Sequence, residues 1–256
     1  MAAPLIAIDK VSKSYGGALA LNDVSLEIAA GRFVALVGTS GSGKTTTLKT
    51  INRLIDPDMG EVRLDGRPVG DEPGPQLRRG IGYVFQGVGL FPHLTVAENI
   101  AVTPRLLGWA EDEIAPRIAE LLDLVALPQD YAARFPSALS GGERQRIGVA
   151  RALAARPRVM LMDEPFGALD PVTRIELGDA YRALHDKLGL TTVMVTHDVS
   201  EAVLLADRIV VMKGGRVLAD DTPRNLLTGA ADPYVAALMA SPKQQADRVA
   251  ALMARQ

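Results

Sequence analysis

A glycine loop set between a strand and a helix constrains this chain more than any other feature. Gly38-Thr-Ser-Gly-Ser-Gly-Lys-Thr45 follows Phe33-Val-Ala-Leu-Val37, a continuous apolar run of strand length. It precedes Thr46 to Leu54, where Leu48, Ile51 and Leu54 recur at helical spacing. A run without polar alternation suits a strand covered on both faces, hence a central parallel strand. Gly38-x4-Gly43-Lys44-Thr45 is the pattern in which backbone N–H groups wrap phosphates, a lysine reaches the β and γ phosphates, and a hydroxyl ligates Mg²⁺. Thr39, Ser40, Gly41, Ser42 and Thr46 complete the candidate nucleotide-binding residues.

The remaining chain reads as α/β. Residues 5 to 8 and 24 to 28 predict short strands, the second alternating Val24, Leu26 and Ile28 with Ser25 and Glu27, and together they suggest an antiparallel edge layer. Glu61 to Leu64 lies between turn signals, and Ile81 to Phe85 is a further strand. From 89 to 155 the period becomes helical, with Ile114, Ile118, Leu121, Leu122 and Val125 on one face. Strand-like runs resume at Val159 to Met162, Thr192 to Val195 and Arg208 to Met212, with a helical segment over 171 to 188. Strand alternating with helix argues for a parallel sheet. The expected fold is therefore a P-loop NTPase core with a mixed, mostly parallel sheet, an N-terminal antiparallel β layer and an inserted helical subdomain. The expected divisions are a core over 1–88 and 156–231, the helical subdomain over 89–155 and a helical tail over 232–256, to which no chemistry is assigned.

Composition removes several functions. A formal charge of −2 gives no overall field for nucleic acid, so no nucleic-acid partner is expected. The absence of cysteine excludes disulfides, thiolate metal sites and cysteine nucleophiles, and fits a reducing compartment. No run approaches the roughly 18–20 apolar residues that span a bilayer, and the first residues carry no basic stretch followed by a long apolar one. Attachment to a membrane is expected only through a partner.

Two further motifs carry chemistry. Val159-Met-Leu-Met-Asp163-Glu164 is an apolar strand ending in adjacent carboxylates. Alone these read as a solvated strand end; behind a phosphate loop the first is placed to hold Mg²⁺ and the second to orient an attacking water. In Leu139-Ser-Gly-Gly-Glu143, Ser140 and Glu143 form a capping-box pattern, yet two glycines follow the cap where helix propensity is lost and amides are bared. A helix start of that kind also binds an anion.

The order of the loop, Gln86, Leu139-Ser-Gly-Gly, Val159 to Glu164, Ala168-Leu-Asp170 and His197 resembles the nucleotide-binding subunits of ABC transporters over roughly residues 5 to 230. The resemblance implies an ATP hydrolase coupled to transmembrane transport, using ATP and Mg²⁺. It also implies a head-to-tail homodimer with ATP between the copies, transmembrane permease subunits, an indirect solute-binding protein, and a place at the cytoplasmic face of the inner membrane. It implies that Tyr15, otherwise an ordinary surface aromatic, stacks on adenine. Thr45, Gln86 and Asp163 would serve the metal, and Glu164 would be the general base with His197 sensing the γ-phosphate. Ser140, Gly141, Gly142 and Glu143 would contact the ATP held by the other copy, and Asp170 would help to join the dimer. Two departures stand out: Glu143 where the family commonly has Gln, and Gly87 after Gln86 where a larger polar residue is frequent.

Thr50 to Ile55, Gly89 to Thr95, Leu106-Leu-Gly-Trp109 and Asp163 to Pro171 are similar to one importer branch, which takes up glycine betaine, choline, carnitine and related quaternary amines. Five Tyr, five Phe and one Trp supply no aromatic cage for such a cation here, so the solute would be recognised elsewhere. Methionine, sulfonate or phosphate import is the rival within transporters; a soluble P-loop ATPase or kinase is the rival outside them. The sequence stops short of the paired C-terminal nucleotide-sensing modules of some relatives, so that mode of regulation is not expected.

Overall fold

The computed structural model describes residues 4–87, 89–167 and 169–253. Ala168 of the expected Ala168-Leu-Asp170 motif lies outside them, as do residues 1–3, 88 and 254–256 of the expected divisions. The chain runs through β1 (Ile6–Tyr15), β2 (Ala18–Ile28), β3 (Phe33–Val37), α1 (Lys44–Ile51), β4 (Met59–Leu64), β5 (Arg67–Pro68), α2 (Gly74–Arg79) and β6 (Ile81–Val84). The α-helices α3 (Val96–Leu106), α4 (Glu111–Leu124) and α5 (Gly141–Leu153) follow. Then come β7 (Val159–Asp163), α6 (Pro171–Leu188), β8 (Thr191–Val195), α7 (Val199–Leu205), β9 (Arg208–Lys213), β10 (Arg216–Asp221), α8 (Pro223–Gly229) and α9 (Pro233–Met253).

Two sheets result, an antiparallel one ordered β2-β1-β4-β5 and a mixed one ordered β10-β9-β3-β8-β7-β6. In the mixed sheet β6, β7, β8, β3 and β9 are parallel, and β10 alone runs antiparallel to its neighbour. All five residues of β3 are buried, as its uniform apolarity predicts. They divide between two cores: Val34 and Leu36 pack with β1, β2 and α1, while Phe33, Ala35 and Val37 pack with the helices of the opposite face. The second core runs on through Val96, Ile100, Leu121, Leu122 and Ile147, so α3, α4 and α5 rest on the sheet.

Three departures from the sequence reading have local causes. The first hairpin is far longer than residues 5–8 and 24–28, because Gly16 and Gly17 adopt φ of +54° and +86° and close a two-residue turn pairing Tyr15 with Ala18. Polar Ser12, Lys13 and Ser14, together with register shifts in β1, hide that extension from a periodicity argument. Helix α1 stops at Ile51, not Leu54, because Arg53 turns to φ +51°, and Leu54 is left 44% exposed. β10 carries no continuous apolar run, as befits an edge strand, and forms because Gly214 and Gly215 turn the chain back on β9 at φ +55° and +76°. Among the described residues no helix is long and apolar enough to cross a membrane.

Candidate nucleotide-binding site

The loop 38–45 joins β3 to α1, and its glycines are required by geometry. Gly38 has φ +149°, and a Cβ there would sit 2.2 Å from the Met212 carbonyl oxygen on β9. Gly43 has φ +101°, and a Cβ would sit 2.6 Å from the carbonyl oxygen of Ala20. Gly41 turns at φ +76° with no protein atom near the place of a Cβ, so the outer side of the loop is open to a ligand. Lys44 lies across the loop: Nζ donates to the carbonyls of Gly38 (2.8 Å) and Thr39 (2.9 Å) and to Ser42 Oγ (3.3 Å). Burial draws its pKa below the usual lysine value, against the raising influence of Glu164 and Asp163.

β7 brings its terminal carboxylates to the same sheet edge. Its five residues are all buried, and each large side chain taken from water contributes about 1.5–3 kcal/mol, against about 1 kcal/mol for a typical hydrogen bond. The strand's position is therefore set by packing, and the carboxylates follow. Thr45 Oγ1 donates to Asp163 Oδ1 at 2.8 Å. Burial raises the Asp163 pKa above the ordinary aspartate value, and the Thr45 hydrogen bond opposes that. Glu164 sits at φ +50°, a left-handed conformation uncommon for a side-chain-bearing residue, with its N–H bonded to Val195 O at 2.9 Å. That turn points the carboxylate to two neighbours: Gln86 Nε2 donates to Glu164 Oε2 at 3.1 Å, and His197 Nδ1 stands 3.6 Å from the same oxygen.

The structure thus brings Lys44, Thr45, Asp163, Glu164, Gln86 and His197 into one constellation. Other expected residues stand apart. Tyr15 is half exposed at the end of β1 and makes no hydrogen bond to the loop among the described residues. It is held indirectly: Asp58 accepts from Lys13 Nζ (2.6 Å), Ser14 N (2.8 Å) and Ser14 Oγ (2.9 Å). The Lys13 bond above all draws the Asp58 pKa down to about 2. Ser140 and Glu143 form the expected capping box, with Ser140 N to Glu143 Oε2 at 2.7 Å and Glu143 N to Ser140 Oγ at 3.3 Å. None of their hydrogen bonds among the described residues reaches residues 38–46. Asp170 caps α6 by accepting from Val172 N (3.1 Å) and Thr173 N (3.0 Å), and Asp198 caps α7 by accepting from Ser200 N and Glu201 N.

Three site neighbours escaped the sequence reading. Tyr131 Oη donates to Glu143 Oε1 at 2.7 Å. Arg174 ties two loops, bonding Asp198 Oδ2 at 3.3 Å and the Leu169 carbonyl at 3.2 Å, on either side of Asp170 and His197. Tyr234, on a helix to which no chemistry was assigned, accepts the N–H of Thr39 at 3.2 Å. No spacing could have marked these, since each acts across the fold; of the three, only the helical tail that carries Tyr234 was expected.

A phosphate-type loop facing a strand that ends in paired carboxylates defines a nucleotide-binding α/β protein. The sequence model of the family described as "ABC transporter" matches residues 21–167, more than half the chain, and the chain belongs to that family. The choline transport ATP-binding protein OpuBA of Bacillus subtilis (strain 168) is 50% identical over 232 residues, 90% of this chain and 61% of that protein. The glycine betaine uptake system ATP-binding protein YehX of Escherichia coli (strain K12) is 49% identical over 231 residues, 90% of this chain and 75% of that one. The chain spans about three fifths of the length of the first of these. Among solved structures, the dimeric post-hydrolysis state of the ATP-binding cassette MJ0796 bound to ADP and Pi matches with a TM-score of 0.79 and 34% identity. That match covers 85% of this chain and 98% of that one. The fold is accordingly the ABC cassette, with an antiparallel N-terminal sheet, a mostly parallel core sheet and a helical insert.

Proposed function

We propose that this chain is the ATP-hydrolysing subunit of an importer for a small osmoprotectant quaternary amine such as glycine betaine, choline or carnitine. The observation that carries the hydrolytic part is the grouping of Gln86, Glu164 and His197 beside the Thr45–Asp163 pair. The solute class rests on similarity to proteins named for choline and glycine betaine transport.

The residues present fit the groups this activity needs. Thr45 and Asp163 offer oxygen donors 2.8 Å apart, the hard ligands that Mg²⁺ takes, and Gln86 can add an amide oxygen. When bound, the metal would neutralise charge on the β and γ phosphates. Lys44, held across the loop by two carbonyls, can turn its ammonium to a phosphate oxygen without leaving the loop. Tyr15 offers an exposed ring for adenine. Glu164 acts as general base, its carboxylate oriented by Gln86 and His197, and so positions a water for attack.

The N-terminus of α5, with Ser140 to Glu143, serves the ATP of a second copy. Its amides sit beside two glycines and have no hydrogen bond to the chain's own loop among the described residues. Closure of two copies head-to-tail then follows from a γ-phosphate shared between one loop and the other helix start. We assign residues 89–155 to a helical subdomain on a core of 1–88 and 156–231. A groove of about 340 Å³ between them, lined by Leu54, Tyr83, Phe85, Phe91 and Arg151 and adjoining the Gln86 loop, faces the permease. The chain works at the cytoplasmic face of the membrane through that partner, which a solute-binding protein supplies.

Magnesium-dependent phosphate release by the purified chain tests the hydrolytic part. Uptake of labelled glycine betaine, choline and carnitine in a strain lacking the locus tests the transport part, and unchanged uptake of all three would overturn it.

A further inference from the structure

The C-terminal helix α9 reaches the loop that starts the nucleotide site. Asp232 caps it, accepting from Tyr234 N at 2.8 Å and Val235 N at 3.2 Å, and Val235 and Met239 are buried in the main core. Those anchors settle Tyr234 in the first turn, with Oη 3.2 Å from the N–H of Thr39. The ring is also met by Lys213, whose Nζ lies 4.4 Å from the centroid, at the end of the strand whose Met212 carbonyl confronts Gly38. Further along the same helix, Leu238, Ser241 and Pro242 line a pocket of about 260 Å³ together with His197. One helix therefore touches the site at its phosphate loop and beside its histidine.

We propose that Tyr234 is a positioning residue of the nucleotide site, through which α9 sets the geometry of residues 38–44. The peptide at Thr39 is gripped at both ends: Tyr234 Oη takes its N–H, and its carbonyl accepts from Lys44 Nζ at 2.9 Å and from Ser42 N at 3.2 Å. Fixing the N–H fixes the carbonyls on which Lys44 rests, so the lysine is held ready for phosphate instead of wandering over the exposed loop. Loss of the phenol leaves the Thr39 N–H to water, and the ordering must then be supplied when nucleotide binds. Movement of α9 is transmitted to the loop by the same bond.

This inference rests on the nucleotide-binding reading, and one experiment separates the two. Tyr234→Phe keeps the ring, its packing and the Lys213 contact, and removes only Oη. Binding of a fluorescent ATP analogue and of MgATP is measured on the whole chain, with amide hydrogen exchange across residues 38–45. The variant should bind about threefold to tenfold more weakly, because the backbone order that the phenol supplied must then come from binding itself. KM for ATP, not kcat, should carry the change, Thr39 should exchange faster, and the melting temperature of the nucleotide-free protein should stay within about 2 °C. Equal affinity in variant and wild type, or unchanged exchange at Thr39, would overturn the inference. Failure of the wild type itself to bind would overturn the nucleotide reading beneath it.

Discussion

Tyr131 Oη donates to Glu143 Oε1 across 2.7 Å, while the other carboxylate oxygen accepts from Ser140 N. Every short bond to Glu143 thus turns its charge inward, toward the helix start and the phenol. A carboxylate at this position would otherwise repel the phosphate proposed to approach the same amides. The Tyr131 bond, first among the causes, holds the Glu143 pKa below the ordinary glutamate range. Because the folded value lies below the unfolded one, this contribution to stability is present above the ordinary range and is lost as pH falls through the folded value. Tyr131→Phe raises the folded value. The variant should therefore melt below the wild type at about pH 7, with the difference closing toward about pH 3. Melting curves at both pH values check this, and an equal difference at both would refute it.

Glu164 holds its carboxylate between Gln86 and His197 in a left-handed backbone turn. Glu164→Gln keeps the shape and removes the proposed base. Hydrolysis should fall by about 10²–10⁴-fold, the usual contribution of a positioned base, while ATP binding persists and a closed dimer accumulates. Phosphate release and sizing chromatography with ATP measure the two effects. A variant that stays monomeric and hydrolyses normally would sink the assignment.

Lys44→Ala acts earlier in the cycle. It removes the ammonium that lies across the loop, held by the carbonyls of Gly38 and Thr39. A hydrogen bond to a charged group contributes about 1.5–3 kcal/mol, so affinity for ATP should drop at least tenfold. Titration with MgATP distinguishes this from Glu164→Gln, whose affinity is retained.

Gly38→Ala tests the loop's shape without removing any polar group. Its Cβ would collide with the Met212 carbonyl at 2.2 Å, a backbone atom that cannot swing aside. The displacement and the φ of +149° together should cost about 1–3 kcal/mol, lowering the melting temperature by several degrees and weakening nucleotide binding. Gly41→Ala, at φ +76° with open space around its Cβ, should suffer from the φ alone and lose less. Thermal melts of the pair compare them directly.

Much of the architecture was legible because local chemistry and global fold agree. The uniform apolarity of Phe33 to Val37 and Val159 to Met162 predicts buried parallel strands, and both are fully buried. The helix over 171–188 has the expected bounds, and the structure shows why: Asp170 caps its start and Gly189 ends it at φ +60°. Where the reading fell short, the signal was not periodic. The long first hairpin is built on Gly16-Gly17 and polar strand residues, and β10 on Gly214-Gly215, so turn geometry formed strands that hydrophobic patterning does not announce.

By itself the sequence determined which groups exist for phosphate chemistry and the order in which they come, because the spacing of Gly38, Gly43, Lys44 and Thr45 is a local property of one loop. It also set the two strand ends, at Asp163 and near His197, through runs of apolar residues that must be buried. Only the tertiary structure decided how these ends meet. The parallel pairing of β3, β8 and β7 brings Thr45 to Asp163 and His197 to Glu164, contacts between residues far apart in the chain that packing alone registers. The same packing seats α9 so that Tyr234 grips Thr39, a bond between residues 195 positions apart that no local pattern encodes.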